Sequence, residues 1–235
     1  MCTSPPGCGK SWAAHSDREN SVDQRSADAP LAAVAHLGGV PLTPGDHICA
    51  LYRGRAERDR LMTPFLADGL SAGHSCLLIG TEGEGRTFRD ILASAAPAVG
   101  RGGNNFQIKG PNEYLQDGTF DGDRTLARMY AWSDEIFPSD KRTCARLAAD
   151  MSWAQPLVQP AFVQDLVRYE MHATRWLQSH PQVGMCMYDL ELFHSDLIVP
   201  LVKAHPKVWL NGMIMENPYF LDPDEETGPP ASGET

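Results

Sequence analysis

Short apolar runs of strand length alternate with segments of helical spacing along most of this chain, and the alternation restricts the folds open to it. The runs cover residues 47–52, 75–79, 106–109, 145–151, 183–188 and 208–214. Strands that are separated by helices need crossover connections, and crossovers place neighbouring strands in parallel. A run without polar alternation also indicates a strand buried on both faces. The sequence therefore predicts an α/β fold of three layers, with a mainly parallel sheet and helices on both faces.

Between the runs, apolar residues recur every three or four positions, which is the period of one helix face. The helices predicted in this way cover residues 61–70, 88–95, 126–137, 162–177 and 195–204. Pro64 has to lie in the first turn of its helix or kink it. Asp121 and Asp123 are both candidates for the N-cap of the third helix. Each helix follows a predicted strand, as the βαβ pattern requires.

The two ends of the sequence differ in composition from the middle. Residues 1–30 are rich in Ser, Pro, Gly, Asp and Ala, and residues 222–235 have a similar polar composition. Segments of this kind do not bury enough apolar surface to fold. The sequence predicts disordered tails at 1–30 and 222–235 that flank a single domain at 31–221.

The charge balance excludes several classes of protein. The chain has 20 Lys and Arg against 30 Asp and Glu, a formal net charge of -10, so it lacks the basic surface on which nucleic-acid affinity depends. It also lacks the roughly 20 consecutive apolar residues of a membrane span and the apolar segment of a secretory signal. Its 6 cysteines include no CxxC pair and suit free thiols in a reducing compartment. We expect a soluble cytoplasmic protein that binds neither nucleic acid directly nor membrane.

One glycine-rich segment follows a predicted strand at the place where a phosphate-binding loop belongs. Its residues are Gly80-Thr81-Glu82-Gly83-Glu84-Gly85-Arg86-Thr87. Arg86 stands where such a loop has its lysine, while Glu82 and Glu84 add negative charge that repels a polyphosphate. We interpret Gly80, Gly85, Arg86 and Thr87 as a degenerate phosphate loop that disfavours ATP. Residues 4–11 also end in Gly-Lys-Ser, but no strand precedes them.

Seven short segments resemble, in order, the MEDS domain, the methanogen/methylotroph dichloromethane-repressor sensory domain. They are residues 45–52, 64–70, 113–120, 150–154, 186–189, 205–206 and 217–219. The resemblance extends over about residues 36–221 and implies a fold derived from RecA- and KaiC-like P-loop proteins, with the Walker residues lost. It also implies sensing of small organic molecules such as hydrocarbon derivatives. The family is usually attached to DNA-binding or histidine-kinase domains, which this sequence lacks, so we expect either output through a partner or catalysis by the domain itself.

Candidate ligand-binding residues lie near the predicted carboxyl ends of the strands, where open α/β sheets bind their ligands. They are Tyr52, Met151, Trp153, Tyr188 and Asp189. Aromatic and thioether side chains with an occasional polar group are typical of such pockets. The alternative interpretations are that Trp153 packs in the core and that Asp189 caps the turn before Leu190.

Glu170 is a sixth ligand-binding candidate, because it lies between Tyr169 and Met171 on an otherwise apolar helix face. If it is buried without a cation, it holds its proton near neutral pH and can exchange hydrogen bonds with a ligand. If it is solvated, it has no such role. His172, His194 and His205 are predicted as surface or capping residues, with His205 ending a helix before a proline.

His47 and Cys49 are two residues apart on a predicted strand, so their side chains share one face. Imidazole nitrogen and thiolate sulfur both bind transition metals and haem iron, and Cys186 on another strand offers a third ligand. Free cysteine in an apolar run also packs as a small hydrophobe. A structural role for these residues therefore stands beside the metal site.

The sequence leaves three functions open. The preferred one is a non-enzymatic module that binds a small organic ligand and acts through a signalling or transcriptional protein partner, with a homo-oligomer as a further possibility. The second is an enzyme that uses a metal or haem held by His47 and Cys49. The third is an ATP-binding RecA-like protein. No catalytic residue is assigned, since Gly-x-Ser-x-Gly and HExxH motifs are absent from the sequence.

Overall fold

Within the described residues, a seven-stranded sheet forms the middle layer between two sets of helices. The computed structural model of the chain describes residues 32–80, 88–90, 92, 94, 105–137 and 144–222. The described strands are β1 (Ala35–Leu37), β2 (Val40–Leu42), β3 (His47–Tyr52), β4 (Ser75–Ile79), β5 (Phe106–Lys109), β6 (Leu115–Gln116), β7 (Thr119–Phe120), β8 (Ala145–Asp150), β9 (Gln182–Asp189), β10 (Lys207–Leu210) and β11 (Met213–Glu216). The described helices are α1 (Gly54–Ser71), α2 (Gly122–Ile136), α3 (Pro160–Gln178) and α4 (Ser195–Lys203), with 3-10 turns at Pro111–Glu113 and Met151–Leu157.

The sheet has the order β11-β10-β3-β9-β8-β4-β5, and its neighbours are parallel except for β10 and β11. Side chains alternate between its two faces, so each strand contributes residues to two separate hydrophobic cores. On β9, Cys186 and Tyr188 belong to one core, and Met185 and Met187 belong to the other. The first core is covered by α2, α3 and α4, and the second by α1 and the β1–β2 hairpin. The predicted α/β class with helices on both faces is therefore confirmed.

The direction of the connections changes beside β3. From β3 the chain crosses through α1 to β4, which lies beyond β9 and β8 in the strand order. From β9 it crosses through α4 in the opposite direction to β10, which lies on the far side of β3. The loops after β3 and β9 consequently diverge to opposite faces at the carboxyl edge. Such a switch point is where open α/β sheets leave a crevice for a ligand.

The prediction of a single strand over residues 208–214 is wrong. Two strands, β10 and β11, form a hairpin there around Asn211 and Gly212, whose φ angles are 51° and 82°. Two consecutive residues with positive φ are the mark of a type I′ turn, for which Asn-Gly is the favoured pair. The turn residues therefore override the apolar run on either side of them.

Several sequence expectations fall partly outside the described residues. The predicted tails do so except for Asp222, and the predicted helix at 88–95 is described only at residues 88–90, 92 and 94, all helical.

Pro64 lies within α1 rather than in its first turn. Among the described helices, none combines the length and apolar character of a membrane span.

Gly184 sets how closely α3 packs on the sheet. A Cβ at this position would lie 2.6 Å from Cδ1 of buried Leu177 on α3. We therefore expect Gly184→Ala to lower the free energy of unfolding by about 1–3 kcal/mol, because extra atoms in a filled core force a shift. Urea unfolding followed by circular dichroism measures this. Gly80→Ala is the matched control, since its Cβ meets its nearest neighbour at 3.8 Å; an equal loss in both variants would contradict the packing argument.

Candidate functional site

Four polar side chains meet inside the core between α3 and the sheet, and we call them the buried centre. They are His47 on β3, Glu170 on α3, Cys186 on β9 and His205 after α4. The two histidines and Glu170 are 0% exposed, and Cys186 is 4% exposed. Polar groups at this depth are costly unless they are satisfied, so their convergence needs a physical reason.

Three structural elements bring these residues together: the β3–β9 strand pair, α3 and the turn after α4. β3 and β9 are parallel neighbours in which Cys49 is the register partner of Cys186, and His47 shares their face because it lies two residues before Cys49. α3 crosses this face and places Glu170 over it. α4 ends at Lys203, and the following turn directs His205 inward, with its Nδ1 2.7 Å from the Leu201 carbonyl.

The donor atoms of the buried centre lie close together. Glu170 Oε2 lies 3.4 Å from His47 Nε2, 3.5 Å from His205 Nε2 and 3.4 Å from Cys186 Sγ. Cys186 Sγ lies 3.5 Å from His47 Nε2, and all four atoms are within 4.8 Å of one another. These donor types together match those that bind a transition metal.

Outer hydrogen bonds hold the members of the buried centre in orientation. Thr174 Oγ1 lies 2.9 Å from His47 Nδ1, and the Tyr188 hydroxyl donates to Glu170 Oε1 at 2.5 Å. His205 Nδ1 donates to the Leu201 carbonyl, so its Nε2 is the unprotonated nitrogen. Within the described part of the chain, that Nε2 has no hydrogen-bond partner.

The buried centre shifts the protonation of its members. Burial alone would raise the pKa of Glu170, but the hydrogen bond from His47, the electrostatic effect of the neighbouring His205 and His47 rings and the Tyr188 hydroxyl outweigh it and lower that pKa. Burial, followed by the charge of His47, lowers the pKa of His205 to about 3. Burial and the charge of Glu170 raise the pKa values of Cys186 and Tyr188. Glu170 is thus a buried carboxylate, the form opposite to that expected for a glutamate without cationic neighbours.

A second polar cluster, the edge network, lies at the carboxyl ends of β3, β8 and β9. The Tyr52 hydroxyl donates to Asp150 Oδ1 at 3.1 Å, and Arg58 Nη1 donates to Asp150 Oδ2 at 2.7 Å. Asp189 Oδ1 accepts from the backbone N–H of Gly54, the first residue of α1, at 3.1 Å. A carboxylate of the chain therefore occupies the helix N-terminus, where an anion is favoured.

A surface groove of about 300 Å³ lies beside the β6–β7 hairpin and the first turns of α3, and we call it the α3 groove. Its lining residues are Gly118, Thr119, Phe120, Leu157, Gln159, Ala161, Phe162 and Asp165. The Phe120 ring packs edge-on against Phe162 at 5.7 Å and lies 6.3 Å from the Trp153 ring. The indole N–H of Trp153 is buried without a hydrogen-bond partner in the described residues. The groove thus combines an aromatic wall with a few polar groups.

The structure distributes the predicted ligand-binding and metal residues over several places. His47 and Cys186 lie in the buried centre with Glu170, and Tyr188 donates to it. Cys49 is buried on the same face but is not one of the four grouped donors.

The remaining predicted site residues lie elsewhere in the structure. Tyr52 and Asp189 belong to the edge network, Met151 is buried in the core under α3, and Trp153 lies behind the α3 groove. Gly80 follows β4, while Gly85, Arg86 and Thr87 of the predicted phosphate loop lie outside the described residues.

Sequence reasoning missed two members of this region. The prediction that His205 is a surface or capping residue is wrong, because the ring is fully buried although the helix does end just before it. Thr174, the partner of His47, was not singled out at all. The one available signal for His205 was its place in the segment 205–206 of the family resemblance.

Comparison with known proteins gives three results. A family model described as MEDS, the MEthanogen/methylotroph, DcmR Sensory domain, matches residues 46–206. The chain is 29% identical over 198 residues to the transcriptional repressor DcmR of Methylorubrum extorquens, covering 80% of this chain and 70% of that protein. The flagellar accessory protein FlaH of Methanocaldococcus jannaschii has a similar fold, with a TM-score of 0.52, 12% identity and coverage of 75% of this chain and 78% of that one.

Proposed function

The chain belongs to the MEDS family of sensory domains, and from this premise we propose that it binds a small organic molecule and transmits the binding to a transcriptional or signalling partner. The family description names a sensory domain, and the relative DcmR is a transcriptional repressor. Both support a module that responds to its ligand by changing its contacts with a partner protein rather than by converting the ligand chemically. The proposal concerns the ligand class, its site and the route of transmission.

The α3 groove is the observation that carries this proposal. Its volume of about 300 Å³ lies at the small end of the range for ligand pockets, roughly 300–1,000 Å³. Phe120, Leu157 and Phe162 offer apolar surface, while Thr119 and Gln159 offer groups that can form hydrogen bonds with a ligand. This combination suits a compact, mainly apolar molecule with one polar group.

The position of the groove supports a route of transmission through α3. The first turns of this helix line the groove at Ala161, Phe162 and Asp165, and its later turns place Glu170 and Trp176 in the core. A ligand that favours one position of the first turns therefore favours one packing of the whole helix on the sheet. A ligand shifts such an equilibrium by its difference in affinity for the two packings.

The two other functions have less support from the geometry. A metal-dependent enzyme needs substrate access, whereas the donors of the buried centre are between 0% and 4% exposed. For ATP binding, Glu82 and Glu84 of the predicted phosphate loop add negative charge that repels a polyphosphate. We therefore retain the sensing function.

The test is to fill the groove and measure ligand binding. Ala161 is exposed and lines the groove, so Ala161→Trp occupies the space without disturbing the core. The probes are a panel of short haloalkanes, short alcohols and substituted benzenes, followed by ligand-observed NMR. We expect at least one probe to bind the unaltered protein and to lose affinity by about tenfold or more in Ala161→Trp.

Ala131→Trp is the matched control, since Ala131 is an exposed alanine on α2 away from the groove lining. It should leave binding unchanged. Binding that survives Ala161→Trp would exclude the α3 groove as the site, and failure of every probe would exclude the ligand class.

A further inference from the structure

We propose that the buried centre binds one divalent transition-metal ion of the zinc type, a site separate from the α3 groove. The ligand atoms are His47 Nε2, Glu170 Oε2, Cys186 Sγ and His205 Nε2. Two imidazoles, a carboxylate and a thiolate are donors that Zn²⁺ uses, whereas Mg²⁺ and Ca²⁺ prefer oxygen alone. The inference rests on the spacing, the orientation and the charge of these four groups.

Four of the six donor separations match the edges of a tetrahedron around a metal ion. Zinc–ligand distances of about 2.0–2.3 Å give edges of about 3.3–3.8 Å between ligand atoms. Four of the six separations are 3.4, 3.5, 3.4 and 3.5 Å, and the other two, from His205 Nε2 to His47 Nε2 and to Cys186 Sγ, lie within 4.8 Å. A direct N–H···O hydrogen bond would bring its heavy atoms to about 2.9 Å. The two nitrogen–oxygen pairs are therefore longer than a typical hydrogen bond, and the four separations of 3.4–3.5 Å fit donors arranged around a shared ion.

The orientation of both imidazoles is that of metal-bound histidine. A ligating histidine directs one ring nitrogen at the metal and donates the other ring N–H to a carbonyl or another acceptor. His205 Nδ1 donates to the Leu201 carbonyl at 2.7 Å, and His47 Nδ1 lies 2.9 Å from the Thr174 hydroxyl. Each ring therefore presents Nε2 to the space beside Glu170.

His205 supplies the observation that a hydrogen-bonded network does not explain. Its Nε2 is fully buried, lacks a hydrogen-bond partner among the described residues and stands 3.5 Å from Glu170 Oε2. A buried acceptor without a donor costs free energy, and a neighbouring carboxylate oxygen cannot donate to it. A cation between the two atoms satisfies the His205 nitrogen and also binds the carboxylate.

The charges also balance. A doubly charged cation neutralises the carboxylate of Glu170 and the thiolate that Cys186 forms on binding. Neutral sites are the favourable way to bury ionised groups, because each uncompensated charge in a core carries a large desolvation penalty. Binding releases the thiol proton to solvent, as metal binding by cysteine requires.

The experiment is to refold the full chain with Zn²⁺ or Co²⁺ and to measure metal content after gel filtration. We expect one bound ion at the buried centre. Cobalt should give the intense visible bands of a tetrahedral site together with a sulfur-to-cobalt charge-transfer band. Cys186→Ser should remove the charge-transfer band, and Glu170→Gln or His205→Ala should lose the ion.

Two further variants make the test specific. Cys76→Ser changes a buried cysteine in the other core and is expected to leave the cobalt spectrum unchanged. Thr174→Val keeps all four donors and removes only the partner of His47, so the metal affinity should fall about 10–100-fold.

Three results would overturn the proposal. One is a folded chain, shown by near-ultraviolet circular dichroism, that takes up neither metal. Another is equal uptake with an unchanged spectrum in the Cys186→Ser and Glu170→Gln variants. If those variants fail to fold, an unaltered affinity in Thr174→Val is decisive against it. Ala161→Trp should leave metal uptake intact, so that the failure of the groove and the failure of the metal site are distinguishable.

Discussion

Arg58→Met is expected to lower the free energy of unfolding by about 3–5 kcal/mol, because it leaves Asp150 as an unpaired charge inside the protein. Arg58 is 5% exposed and Asp150 is 3% exposed, and their side chains meet at 2.7 Å. Methionine keeps the unbranched stem in place and removes only the charged head. The loss is a large share of the 5–15 kcal/mol that typical domains have in total. Urea unfolding monitored by circular dichroism gives the value.

Two companion variants separate the buried charge from the loss of an arginine. Arg168 is 57% exposed and pairs with Asp165 on the surface, so Arg168→Met should cost less than about 1 kcal/mol. In the double variant Arg58→Met with Asp150→Asn, the unpaired carboxylate is gone and part of the stability should return. Equal losses in Arg58→Met and Arg168→Met would show that Asp150 does not depend on its partner.

The strands of the sheet could be located from the sequence because most of them are buried on both faces. β3, β4 and β5 coincide with the predicted runs at 47–52, 75–79 and 106–109. β8 ends one residue before its predicted run does, and β9 extends one residue beyond its run at each end. A parallel strand between two helical layers has no solvent-facing side, so its sequence is a continuous apolar run. The order of the strands was not predictable, because nothing in a run records which neighbour it pairs with.

The strands that the sequence pattern does not predict are short, and their turn residues determine the hairpin that they form. β6 and β7 have two residues each, and their hairpin turns at Asp117 and Gly118, whose φ angles are 50° and 78°. Two residues give no measurable period, so only the Asp-Gly pair signals the hairpin. Since this hairpin supplies Gly118, Thr119 and Phe120 to the α3 groove, the groove could not be predicted from hydrophobic period.

The buried centre was predictable in part for a similar reason. Spacing within one strand places His47 and Cys49 on one face, and this much follows from the geometry of a strand. Whether Cys49 or Cys186 joins the centre depends on how α3 crosses the sheet, which is a tertiary property. His205 has the sequence context of a helix end and follows the end of α4, yet its ring is buried. Local signals fix where a helix stops and leave open which way the next side chain points.

Trp176→Ala is expected to cost about 3–5 kcal/mol of unfolding free energy, the usual loss when a buried tryptophan becomes alanine. Trp176 is 1% exposed, and its indole N–H donates to Ser133 Oγ on α2 at 2.9 Å. Ser133 in turn donates to Gln182 at the start of β9, and Gln182 donates back to the Trp176 carbonyl. The substitution therefore leaves a cavity and opens a network that joins α2, α3 and β9.

Trp176→Phe retains most of the buried ring and loses the N–H donor, so its cost should be nearer about 1–2 kcal/mol. Equal costs for the two variants would mean that packing at this position contributes little. Because α3 also places Glu170 in the buried centre, Trp176→Ala should weaken cobalt binding although no ligand is altered, while Trp176→Phe should leave it nearly unchanged. Cobalt affinity that stays the same in Trp176→Ala would show that Glu170 is positioned without the packing of α3 on the sheet.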